Sequence, residues 1–155
     1  MSVVEVFFGG TLALVCLAAM WSDLRSRTIP NSYCAALLLA GLALGYHEGA
    51  LGGLGWHAAH AGTALLIGMA LFALRWLGGG DGKFYAACAA WFPLQQGLAL
   101  GSMICLAGLL LALSWIVWRK VQGKPTFTLR QGQPTYLPFG LAIGLGTLAT
   151  FALRF

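Results

Sequence analysis

The chain has 155 residues, of which 59% are hydrophobic and only 8% charged, against roughly 45–50% and 25% in ordinary soluble domains. Nine basic and four acidic side chains, net +5, are too few to cover a water-soluble domain of this size. With a mean hydropathy of +0.82, the composition argues against a disordered chain, a soluble nucleic-acid-binding domain and a disulfide-stapled secreted fold. It predicts an all-α polytopic membrane protein.

A helix that crosses a bilayer needs about 20 mostly apolar residues. The first candidate, 3–21, has no Lys or Arg before its apolar run and is long for the core of a signal peptide, so it reads as a retained span. Next come a short segment, 33–46, a full-length one, 58–77, and a second short one, 84–94. The peptide Pro93-Leu94-Gln95-Gln96-Gly97 then reads as a tight turn before segment 98–118. A polar stretch, 119–135, holds Gly123, Lys124-Pro125 and Gln133-Pro134 and reads as an irregular loop; segment 136–153 follows it. The expected architecture is a compact bundle of about six transmembrane helices, forming a single domain over 1–155 without internal repeats.

The charges follow that division. Arg25, Arg27, Arg75, Lys83, Arg119, Lys120, Lys124 and Arg130 lie in alternate connections, leaving only Arg154 elsewhere. Glu5, His47, Glu48 and the uncharged Gln95-Gln96 turn occupy the other side. The positive-inside rule makes the three basic connections cytoplasmic and puts both termini outside. The basic excess therefore encodes topology, and no nucleic-acid partner is expected; membrane lipid is.

Many of the 22 glycines lie inside the apolar runs, and Gly41/Gly45, Gly97/Gly101 and Gly140/Gly144 show small-xxx-small spacing. Such spacing lets helix backbones approach closely. Packing within one chain is the expected use, with a dimer face as the alternative; the oligomeric state is left open.

Most routes to chemistry fail on spacing. Cys16, Cys34, Cys88 and Cys105 are isolated within apolar segments and read as buried thiols, since zinc and redox motifs need close pairs. His47-Glu48 begins like HExxH, but position 51 is Leu. His57 and His60 share a helix face with no evident carboxylate beside them, and interfacial packing is expected. No metal and no cofactor is predicted. The run Gly78-Gly79-Gly80-Asp81-Gly82-Lys83 is not a phosphate-binding loop, because 77 is Leu and 84 is Phe. Ser102 and Ser114 follow the last histidine and lack a nearby base.

The carboxylates are more informative. Of four in the chain, the only two aspartates, Asp23 and Asp81, both fall at predicted cytoplasmic ends of spans. Ionisable groups at membrane depth are costly and mark functional sites. Two carboxyls held within a few ångströms share a proton, so one can activate water while the other protonates a scissile amide. The glycines before Asp81 allow close backbone approach. Structural roles compete: Asp23 can pair with Arg25 or Arg27, and Asp81 can cap the next helix while the glycine run ends the previous one.

The segment Asp23-Leu24-Arg25-Ser26-Arg27-Thr28-Ile29-Pro30-Asn31, the run Gly78-Gly79-Gly80-Asp81-Gly82-Lys83 and the late Leu137-Pro138-Phe139-Gly140-Leu141-Ala142-Ile143 occur in this order. Together they resemble the prepilin peptidases, polytopic GxGD aspartyl proteases with a D…IPN motif in the first loop and a P-[YF]-G-x-A-I pattern in the final span. The resemblance implies cleavage of the leader from type IV pilin-like precursors at the cytoplasmic face of the bacterial inner membrane. It maps the catalytic aspartates onto Asp23 and Asp81, the motif glycines onto Gly78 and Gly80, and the following basic residue onto Lys83. Pro30 and Asn31 would set the start of segment two, Pro by fixing φ and Asn by capping. Long members carry a cytoplasmic domain with paired CxxC motifs associated with N-methylation. The short connection here, without CxxC, resembles the branch serving Flp or tight-adherence pili.

The partner expected is thus a prepilin or pseudopilin. Alternatives are a broader GxGD intramembrane protease, a non-catalytic assembly subunit, or a small transporter. Against the last, no charged residue falls in the middle of any span.

Overall fold

The computed structural model describes residues 3–123 and 139–154, all of whose regular structure is helical. Helix α1, Val3–Ser26, carries Glu5 in its first turn and Arg25 in its last, both favourable to the helix dipole. It ends where Arg27 turns left-handed, at φ 55°, and donates its backbone N–H to Asp23 O at 3.0 Å, a helix-terminating geometry.

Helix α2, Asn31–Ala73, is broken at Gly49 and Ala50, whose backbone angles are not helical. The break makes it a hairpin. An added Cβ on Gly45 would lie 2.6 Å from the His57 ring, and Glu48 Oε2 lies 3.6 Å from His57 Nε2. Its two limbs overlap the second and third predicted segments with different bounds: the first starts at Asn31, and the second starts just after the break and ends at Ala73, short of 77.

Helix α3, Gly79–Ala89, begins five residues before the predicted segment and has only 11 residues. Its rise of about 16 Å is half a bilayer core. The glycine run opens this helix instead of ending the previous one. Gly78 is the N-cap and Asp81 the third helical residue, so Asp81 is not itself the cap. A 3-10 turn, Leu94–Gln96, then leads into α4, Gly97–Val121, and α5 is Phe139–Ala152. The predicted loop beyond 123, and positions 136–138 of the last predicted segment, lie outside the described residues.

Three helices, α1, α2 and the run Leu94–Val121, are long and apolar enough to cross a membrane. Apolar side chains cover much of the outside: Leu14, Leu66, Trp76, Leu98 and Val121 are all more than two-thirds or nearly two-thirds exposed. Such surface suits lipid rather than water.

With lipid outside, close packing replaces water exclusion as what holds helices together. Small residues supply it. Gly68 and Gly82 meet back to back, a Cβ on the first falling 3.0 Å from Gly82 Cα. Gly41 faces the Ala90 carbonyl, Gly97 the His60 ring, Gly144 the Met20 sulfur and Gly146 the Ile104 backbone. Five of the six small-xxx-small glycines therefore pack within the chain; Gly101 meets nothing within 4 Å. The core closes around Trp91, Phe84, Phe92, Leu12, Leu37 and Ile143. Trp91 stacks edge-on against Phe8 and Phe151 and donates its indole N–H to Leu37 O at 2.9 Å.

Cys16 and Cys88 are buried as expected and meet beside Thr147, whereas Cys34 is half-buried and Cys105 exposed on α4. The α4 surface faces outward there, which isolation in the sequence does not reveal.

Candidate active site

Asp23 sits in the last turn of α1 and is buried, with 7% exposure. Hydrogen bonds fold the following residues back over the helix end. Ser22 Oγ donates to Thr28 O at 2.8 Å, and the Ser26 and Thr28 hydroxyls lie 2.9 Å apart. Ile29 and the backbone of Gly140, near the start of α5, close the other side. An added Cβ at Gly140 would stand 2.7 Å from Asp23 Oδ2 and 3.0 Å from Ile29 Cδ1. Burial is the largest influence on the carboxyl, ahead of the opposing Arg27 charge and Gly140 backbone N–H. Asp23 Oδ2 itself is buried with no hydrogen-bond partner among the described residues, an uncommon state for such a group.

Asp81 lies in the first turn of α3, and its carboxyl reaches back to the Gly78 backbone N–H. This is one half of a capping box, in which the third helical side chain satisfies the N-cap donor. Burial first, and then the Asp23 charge, push its pKa up to about 6, against the opposing Gly78 hydrogen bond. Asp23, 58 positions away in sequence, is thus near enough for its charge to act on Asp81.

The other expected site residues divide. A Cβ on Gly78 would lie 3.0 Å from Asp81 Oδ2, so its lack of a side chain is what admits the carboxyl. Gly80 borders open space and no contact requires it to be glycine. Pro30 is the N-cap of α2, with φ −59°, and Asn31 is the first helical residue without a side-chain cap. The expected capping by Asn31 is therefore corrected. Its Oδ1 instead accepts from Lys83 Nζ at 3.4 Å, joining the start of α2 to the first turn of α3. Gly140 was legible as half of a packing pair and in the late motif, but its place against Asp23 was not.

At the far end of the bundle, His57 and His60 are buried. Their Nδ1 atoms lie 2.8 Å from Ala90 O and 3.0 Å from Phe92 O. A carboxylate does stand beside them, contrary to expectation, because the hairpin returns Glu48 to His57. Among the described residues no three His, Cys, Asp or Glu side chains gather as metal ligands.

Long apolar helices suit a membrane protein, and at one end of the bundle the Asp23 charge reaches the Asp81 carboxyl. A family model, the type IV leader peptidase family, matches residues 10–116, more than two-thirds of the chain and a range containing both aspartates. The chain belongs to the type IV leader peptidase family. No curated protein and no solved structure matches it.

Proposed function

We propose that this protein is an aspartyl endopeptidase of the bacterial inner membrane that removes leaders from Flp-type prepilins or pseudopilins, with Asp23 and Asp81 as its catalytic pair. The family supports the reaction class. The observation that carries the residue assignment is Asp23 Oδ2, buried and unpartnered among the described residues, beside a second carboxyl that it acts on. A buried carboxylate oxygen left without a donor suits a water or a shared proton.

The chemistry needs no other group. One carboxylate takes a proton from water as the water oxygen bonds to the scissile carbonyl carbon. The other, protonated, gives its proton to the carbonyl oxygen, forming a gem-diol. On collapse, the first carboxyl protonates the leaving nitrogen, the second recovers a proton from a diol hydroxyl, and the C–N bond breaks.

The six-span topology with both termini outside puts this site at the cytoplasmic face, where a leader would enter. Its support is the basic residues, eight of nine in alternate connections. The link from α1 to α2 is only residues 27–30 and holds no CxxC, which favours the short branch and a single peptidase domain over the chain. Lys83 and Asn31 would line the site, with Pro30, Gly78 and Gly80 shaping its backbone.

Co-expression with a Flp-type prepilin, read as leader loss on a gel, tests the proposal. Wild type should process the precursor, and Asp23→Asn and Asp81→Asn should each leave it uncut. Processing by either variant removes that residue from the mechanism, and an uncut precursor with wild type favours an assembly or transport role.

A further inference from the structure

The C-terminal end of α3 is closed by side chains. Its backbone bonds run as far as the carbonyls of Cys88 and Ala89, which take the N–H groups of Trp91 and Phe92, each at 3.1 Å. The next donor in that series would be residue 93, a proline, which has no N–H. Three successive carbonyls, of Ala90, Trp91 and Phe92, are met instead by His57 Nδ1 at 2.8 Å, the Arg154 guanidinium at 3.3 Å and His60 Nδ1 at 3.0 Å. A carbonyl only accepts, so both imidazole nitrogens carry a proton and donate it. Ala90, Trp91 and Phe92 have no exposed surface, and the two rings are 1% and 3% exposed. The donors thus do for this helix end what water does for an exposed one.

They come from separate parts of the chain. His57 and His60 are one turn apart on the second limb of α2, and Arg154 follows α5. Glu48 stands behind them, 2.6 Å from the Arg154 guanidinium and 3.6 Å from His57 Nε2. Gly41, on the first limb, closes on the Ala90 carbonyl, where an added Cβ would fall 2.7 Å from the oxygen. At the other end of the same 11-residue helix, Asp81 occupies the first turn. Ala90 follows it by nine positions, about 14 Å of rise. A hydrogen-bonded helix this short is a rigid element, so a shift at Ala90 is carried through to Asp81.

We propose that His57, His60 and Arg154 are positioning residues: by holding the last carbonyls of α3 they set where that helix sits along the α2 hairpin, and so where Asp81 meets Asp23. This rests on the dyad reading above and makes the reaction depend on the far end of the bundle. Removing a donor leaves a buried carbonyl unsatisfied, and segment 90–92 then moves to find another.

The test is steady-state cleavage of a synthetic prepilin peptide by the full chain in lipid nanodiscs, with the thermal midpoint of each variant measured alongside. His57→Leu and His60→Leu remove a donor and keep most of the volume. Displacing a reacting group by about 1 Å costs on the order of a hundredfold, so a smaller shift here should lower kcat about tenfold or more, with KM little changed. His57→Asn and His60→Asn put an amide N–H near the Nδ1 position and should recover most of that loss. Glu48→Gln leaves the three donors in place and separates stability from seating: its midpoint should fall while kcat stays near wild type. Arg154→Met, at the more exposed edge of the group, supplies the same reading where the leucine variants do not fold. Wild-type kcat in the leucine variants, or in Arg154→Met in their place, overturns the proposal. So does an asparagine variant as slow as its leucine counterpart, which makes ring volume the cause. An equal loss of kcat in Glu48→Gln also overturns it, by making lost stability the cause. Failure of the dyad itself shows differently, as cleavage by Asp23→Asn or Asp81→Asn.

Discussion

Glycine carries opposite meanings at Gly78, Gly80 and Gly140. At Gly78 and Gly140 a single methyl would press on a site carboxyl, whereas at Gly80 it would meet nothing. Two effects compete in Gly140→Ala. Alanine favours a helix over glycine by about 0.8–1 kcal/mol, so propensity alone predicts a gain in stability. The added Cβ, 2.7 Å from Asp23 Oδ2, must instead displace the carboxyl or α5. Misplacing a reacting group by about 1 Å costs on the order of a hundredfold in rate, which outweighs the propensity gain for activity. Peptide-cleavage assays should therefore show a large loss in Gly140→Ala with helix content retained. Gly101→Ala, where the space is open, should cleave normally. Equal rates for both variants would refute the close approach.

At the scale of elements, α3 links the two limbs of α2 to α1 and α5. Its first turn presents Asp81, and its exit delivers Trp91 into the core. That exit is tied down far from the aspartates. Phe8, which packs on Trp91, precedes Asp23 by 15 residues, about 22 Å of helix rise. There Arg154 NH2 donates to Glu48 Oε2 at 2.6 Å and its NH1 to Trp91 O at 3.3 Å, with His57 on the same carboxylate. The group joins the hairpin, the end of α3 and the residues after α5. Charge-assisted hydrogen bonds of this kind contribute about 1–3 kcal/mol. Glu48→Gln should lower the thermal unfolding midpoint in detergent while leaving kcat near wild type at low temperature. An unchanged midpoint would mean the pair is solvated and structurally idle.

For the molecule as a whole, apolar run length revealed the helices because lipid imposes a length on each of them. The same logic caught α3 only in part, as the short segment 84–94, because the helix is sheltered by its neighbours and begins five residues earlier in a glycine run. The break at Gly49 and Ala50 was legible as a gap between apolar runs, but its sharpness was not, and so Glu48 could not be placed beside His57. Asp23 and Asp81 stood out because charge is scarce, yet their approach depends on Gly68 against Gly82 and Gly140 against Asp23, contacts between residues distant in the chain. The central claim is that these two carboxyls act as one catalytic unit. A double-mutant cycle on kcat/KM tests it most directly, with purified Asp23→Asn, Asp81→Asn and the double variant acting on one prepilin peptide. Groups that work as a unit are strongly non-additive, so each single variant should lose on the order of a thousandfold or more and the double should lose no more than either. Cleavage persisting in a single variant, or losses that multiply in the double, would contradict it.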